Sequence, residues 1–134
     1  MNLKEDQPKI HFVKKNWGWE KWIVNKDLYC GKLLYFVKSK KSSFHFHKIK
    51  DEMFYVQSGR LQIYYHDDVE EITEIIKSHS NYSDYCDSII LEPGDNFYLP
   101  PGRVHQVVAL LDTELFEFST KHEDSDSYRL IIGD

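Results

Sequence analysis

The sequence predicts an all-β domain, a closed sandwich or barrel of about eleven short strands. Three observations carry that expectation. Short apolar runs with two-residue alternation recur along the chain, separated by turn-forming residues. Aromatic residues make up 15% of the 134 residues, against 6 glycines and 4 prolines, which suits packed strand faces joined by economical turns. No stretch carries a convincing helical spacing, and no repeat or linker divides the chain, so residues 1–134 read as one domain able to bury its own core.

Taken in order, residues 1–8 are polar and read as a loose terminus. Lys9–Val13 is a short strand leading to Trp17–Val24, where alternation sets Trp22 and Val24 on one face and Trp19, Lys21 and Ile23 on the other. The tryptophans Trp17, Trp19 and Trp22 suit capping the barrel or filling a subunit interface, or else a platform for a sugar ring. Asn25–Asp27 is a turn and Leu28–Lys38 a long strand. Phe44–His47 is a strand with both phenylalanines opposite the histidines, so its second face needs a cover, either another segment or a second subunit, and a homodimer is expected. Met53–Gln57 and Leu61–His66 read as a hairpin about Ser58-Gly59. The β-branched content of Val69–Lys77 favours a strand, and 78–87 is a polar loop. The whole span from Arg60 to Pro93 is longer than the motifs around it require, and is expected either to fold over the barrel mouth or to extend an edge. Ser88–Glu92, Asn96–Leu99, Val104–Leu111, Thr113–Ser119 and Tyr128–Ile132 complete the strands.

Composition excludes several classes. A net charge of −5 argues against a nucleic-acid binder relying on a basic surface. No apolar run approaches the roughly 18–20 residues a membrane span needs, and the polar N-terminus does not resemble a secretory signal. Cys30 and Cys86 make no disulfide framework, so a reducing, cytoplasmic setting is expected.

The chemistry concentrates in Ser43–Gly59 and Gly94–His105. His45 and His47 are two apart on a strand and present their imidazoles on one face. Glu52 returns after a turn at Lys48–Asp51, and His105 follows Pro100-Pro101-Gly102. Three imidazoles and a carboxylate suit one borderline divalent ion: iron, manganese, zinc, nickel or copper.

His45-x-His47-x4-Glu52-x6-Gly59 and Gly94-x5-Pro100-x-Gly102-x2-His105 resemble the two signature motifs of the cupin superfamily. The resemblance implies a double-stranded β-helix, or jelly-roll barrel, with His45, His47, Glu52 and His105 as metal ligands. Two positions depart from the pattern: Ser39 stands where a glycine is usual, and Ala109 where an asparagine closes the second motif.

Four cations are candidates for holding an anionic group on a substrate: Lys50, Arg103, Arg129 and Lys32. Trp17-Gly18, Lys32-Leu-Leu34, the Ser43–Glu52 stretch and the tail ending in Tyr128-Arg129 are together similar to cupin-type mannose-6-phosphate isomerase domains, which usually carry glutamine at His45 and arginine at Lys50. That likeness implies a metal-dependent isomerase acting on a sugar phosphate or related activated sugar, with an anionic sugar as small-molecule partner. Glu117 and Tyr55 are the candidate general bases, although strand parity turns Tyr55 away from Glu52. Two other readings stand beside it, an Fe(II)-dependent dioxygenase and a non-catalytic carbohydrate-binding cupin.

Overall fold

A computed structural model describes residues 3–134. Its strands are β1 (His11–Lys15), β2 (Gly18–Asn25), β3 (Cys30–Phe36), β4 (Phe44–His47), β5 (Glu52–Ser58), β6 (Leu61–His66), β7 (Asp87–Leu91), β8 (Asn96–Leu99), β9 (Val104–Ala109), β10 (Thr113–Ser119) and β11 (Ser127–Ile131). The α-helix α1 spans Val69–Ser78. The strands form two antiparallel sheets, one ordered β1-β2-β3-β10-β5-β8 and the other β11-β4-β9-β6-β7. This is the all-β jelly roll expected from the sequence.

Alternation builds the core directly. Along β3, Cys30, Lys32, Leu34 and Phe36 are buried while their neighbours are half-exposed. Leu34, Phe36, Phe54, Val56 and Leu115 from the six-stranded sheet meet Leu61, Ile63, Leu91, Val107 and Ala109 from the other. Trp17 stacks on Phe36 with centroids 4.0 Å apart, closing that core.

Two expectations are corrected, and two open alternatives are decided. Val69–Lys77 is helical, because local capping and tertiary cover override β propensity. The Asp68 side chain accepts from the Glu71 amide, Glu70 and Glu71 fill the first turn, and Lys77 reaches Glu74. Val69, Ile72, Ile75 and Ile76 then pack on Phe44, Phe46 and Val104. The cover expected over the phenylalanine face of β4 is therefore this chain's own helix, assisted by Tyr82, which stacks on Phe44 and donates to Gln106. Of the two expectations for the 60–93 span, the structure takes the second: it extends the five-stranded sheet with β6 and the edge strand β7, lays α1 against the sheet between them, and its polar loop contains a 3₁₀ turn at Tyr82–Tyr85.

The second correction concerns Ser58-Gly59. β5 and β6 do not pair; they belong to different sheets. Gly59, at φ 90°, carries the chain across, and a Cβ there would lie 2.3 Å from the Asp112 carbonyl oxygen. The turn is a crossover that only glycine fits.

Candidate metal centre

The β4 and β9 strands run side by side with His45 opposite His105 in register. Strand parity adds His47 on the same inward face, and the ligand atoms of these three histidines all lie within 4.8 Å of one another. Each ring is locked from behind. The Nδ1 atoms of His45, His47 and His105 stand 3.1, 3.0 and 2.9 Å from the carbonyl oxygens of Ser43, Asp126 and Arg103. A carbonyl only accepts, so each Nδ1 carries the proton and each Nε2 turns a lone pair into the barrel. Burial holds all three imidazoles below their usual range, His47 and His105 at about 4, so they are neutral at physiological pH.

His105 Nε2 is fully buried and has no hydrogen-bond partner among the described residues. An orphaned buried acceptor costs about 1–3 kcal/mol. A metal ion held by the triad would satisfy it, and three neutral imidazole lone pairs are the donor set a borderline divalent ion takes. The residues fit such an ion.

Glu52, at the start of β5, faces the triad from the other sheet. Its Oε2 lies 3.7 Å from Nε2 of both His47 and His105, while its Oε1 is 3.2 Å from Lys50 Nζ. It stands at the edge of the imidazole group, drawn toward the lysine. Lys50 Nζ donates to Glu117 Oε2 at 2.6 Å and to His122 Nδ1 at 2.9 Å. Lys32, on β3 beside Glu117 of β10, rests on the face of Trp22 at 4.1 Å, with Glu20 and Glu117 oxygens each 3.9 Å away.

This buried charge cluster sorts its own protons. Burial opposes ionisation of Glu117, but Lys50 and then Lys32 outweigh it and hold the carboxylate below its usual range. Burial likewise opposes the charge on Lys50, which Glu117 and Glu52 restore and strengthen. Glu52 goes the other way: desolvation and the adjacent Glu117 charge raise it. The site thus holds one firmly ionised carboxylate against an ammonium, beside a carboxyl that a bound cation would ionise.

The tail fixes the first motif. The Asp126 carboxylate accepts from the amides of Lys48, Ile49 and Lys50 at 3.0–3.2 Å, while its carbonyl orients His47. A cavity of about 730 Å³, counting its open mouth, is lined by the triad, Glu52, Lys50, Lys32 and Glu117.

Of the residues singled out in the sequence, His45, His47, His105, Glu52, Lys50, Lys32 and Glu117 converge on this cavity, and exposed Arg129 sits at its mouth. Arg103 does not reach it: its guanidinium pairs with Asp67 at 2.7 and 3.1 Å and lies over the Tyr65 ring. Tyr55 is on the outer face of the six-stranded sheet, so it is removed as a base, as parity requires. Residues not singled out also line the cavity, notably His122, Glu20, Lys15 and Asp124. His122 Nε2 contacts Asp124 at 2.9 Å. The only signal in the chain for His122 was an imidazole heading an acidic run.

The departures from the cupin pattern are neighbours in space, since the Ser39 amide donates to the Ala109 carbonyl at 2.9 Å. Ser39 takes φ 73°, the conformation a glycine would hold without strain.

Residues 7–129 match the family model described as the JmjC domain. No curated protein matches the chain. Among solved structures, KdgF from Halomonas sp. is similar over 93% of this chain and 94% of its own, at 17% identity and a TM-score of 0.65. The capsular polysaccharide assembling protein CapF from Staphylococcus aureus matches 98% of this chain at 16% identity and a TM-score of 0.72. Oxalate decarboxylase from Bacillus subtilis matches 91% of it at 16% identity and a TM-score of 0.72. The chain spans 34% of CapF and 30% of oxalate decarboxylase. At these identities the likeness is one of fold.

Proposed function

The chain belongs to the JmjC domain family within the cupin superfamily, and from that premise we propose that it is a metal-dependent isomerase of a sugar phosphate or related activated sugar. One observation carries the reading: three oriented imidazole lone pairs and an ionised carboxylate–ammonium pair share one cavity with an open mouth. When bound, the metal would supply Lewis acidity toward the substrate's adjacent carbonyl and hydroxyl oxygens. His45, His47 and His105 would hold it, with Glu52 as the fourth ligand.

The chain's own residues do the proton work. Glu117 is ionised at neutral pH and serves as the general base that takes a proton from the carbon beside the carbonyl and returns it to its neighbour. Lys50, held as an ammonium, faces the negative charge that develops on the substrate oxygens. Trp22 and Lys32 wall the cavity and limit water around the base. Arg129 and Lys15 at the mouth form no ion pair among the described residues and are placed to take a phosphate.

The test is interconversion of mannose 6-phosphate and fructose 6-phosphate by metal-loaded protein, alongside other phosphorylated and activated sugars. Turnover lost in Glu117→Gln supports the reading. Failure of every sugar tested ends it. Elemental analysis of untagged protein against a His47→Ala/His105→Ala variant tests the metal separately; near-stoichiometric metal, lost in the variant, is expected.

A second reading, an Fe(II)-dependent dioxygenase, draws on the apolar inner wall made by Leu34, Phe36, Phe54 and Val107 behind the triad. Oxygen uptake by iron-loaded protein on adding an apolar thiol, diketone or catechol would favour it.

A further inference from the structure

The Lys50 ammonium is shared among three parts of the chain. Glu117 of β10 accepts one hydrogen bond at 2.6 Å and His122 a second at 2.9 Å, while Glu52 of β5 stands 3.2 Å away. Glu117 and Glu52 have roles in the proposed reaction, as base and as metal ligand. His122 has none, although its ring lines the cavity and stands edge-on to Trp22, with centroids 5.0 Å apart.

The partners of this ring fix its tautomer. An ammonium only donates, so His122 Nδ1 accepts from Lys50 and the ring proton sits on Nε2. That proton is donated to Asp124 Oδ1, 2.9 Å away on an exposed side chain. The triad imidazoles carry theirs on Nδ1, so His122 is the opposite tautomer. Its one lone pair is spent on Lys50, which leaves none for a metal. The backbone is fastened independently of the ring. The Asn25 side chain accepts from the His122 amide at 2.9 Å and donates to its carbonyl at 3.0 Å. Two residues earlier, Thr120 exchanges hydrogen bonds with Asp51, each at 3.1 Å.

On the proposed reading that Glu52 serves a metal, we infer that His122 is a positioning residue, holding the Lys50 ammonium against Glu117 and off Glu52. A neutral imidazole satisfies one of the three ammonium hydrogens without adding charge to the cluster. Without it, the ion-pair partners left to Lys50 among the described residues are Glu117 and Glu52 alone. An ammonium that moves onto Glu52 occupies an oxygen the metal would use, and repels a cation held beside it. His122 thus acts at one remove from the metal centre, through Lys50.

Two variants test this. His122→Phe keeps a flat ring beside Trp22 but accepts no hydrogen bond, and His122→Asn places an Oδ1 acceptor where Nδ1 stood. Should His122→Phe fail to fold, His122→Leu takes its place. The first readout needs neither metal nor substrate: crystal structures of the metal-free wild type and His122→Phe. Lys50 Nζ is expected to close on Glu52 Oε1 from 3.2 Å to about 2.8 Å in the variant. The second is Zn(II) affinity, measured by chelator competition. Its dissociation constant is expected to rise about tenfold in His122→Phe, as for loss of an outer partner of a metal site, and to recover in His122→Asn. An ammonium that stays in place in His122→Phe overturns the inference. So does an asparagine variant that binds zinc no better than the phenylalanine one, which would make the ring simple filling. A wild type that takes up no zinc defeats the metal reading instead, and the position of Lys50 in the two crystal structures then decides the role of His122.

Discussion

Glu117 and Glu52 show how environment divides two buried carboxyls. They share Lys50, yet Lys50 with Lys32 keeps Glu117 ionised while burial beside that charge raises Glu52. Replacing Glu117 by Gln keeps the cavity's shape and removes the proposed base. Turnover should fall about 10²–10⁴-fold with metal content unchanged, measured by steady-state kinetics beside elemental analysis. Asp126 is a structural counterpart. Burial would raise its carboxyl, but the amides of Lys50, Lys48 and Ile49 outweigh it and lower the group. A depressed carboxyl stabilises above its unfolded value of about 3.9 and loses that contribution as pH falls through the folded value. Asp126→Ala should therefore cost about 1–3 kcal/mol at neutral pH, a difference from wild type that shrinks in acid, read by urea unfolding across pH. Ser39, held at φ 73°, predicts the opposite sign: Ser39→Gly should stabilise by about 0.5–1 kcal/mol by relieving that conformation.

At the scale of elements, α1 is the lid of the second core. Ile72 is fully buried against Phe44, Phe46 and Val104. Ile72→Ala should cost about 2–5 kcal/mol, and its fluorescence should show dye binding to the uncovered phenylalanine face. The helix also explains a misleading pattern. Val69, Ile72, Thr73, Ile75 and Ile76 are β-branched and read as a strand, yet Asp68 begins a helix whose apolar stripe is covered by Phe44 and Phe46 of β4 and Val104 of β9. The Ser58-Gly59 turn misleads for the same reason. A glycine between two alternating runs signals a tight reversal, and nothing local says that the reversal crosses between sheets.

For the whole molecule, the residues that could hold a metal lie on two sheets, the histidine triad on one and Glu52 on the other, so a metal bound to the folded chain and not to the unfolded one would stabilise the fold. At a free metal concentration of 100 times its dissociation constant the gain is about 2.7 kcal/mol. Thermal unfolding should shift upward on adding the ion that elemental analysis identifies. His105→Ala should abolish the shift, because it removes the only triad member contributed by β9.

The chain's local patterning determined its class and the histidine triad that could hold a metal. Two-residue alternation placed His45 beside His47, turned Phe44 and Phe46 away from them, and put Tyr55 outside, all of which follow from backbone geometry alone. Motif spacing likewise placed Glu52 and His105 opposite that strand. Tertiary structure decided the partners. Whether Arg103 meets a substrate or Asp67, whether Lys50 is free or tied to Glu117, and whether His122 joins the cavity depend on residues 36, 67 and 72 positions apart in sequence. Such pairings are set by how two sheets close on each other, and no periodicity in the chain encodes them.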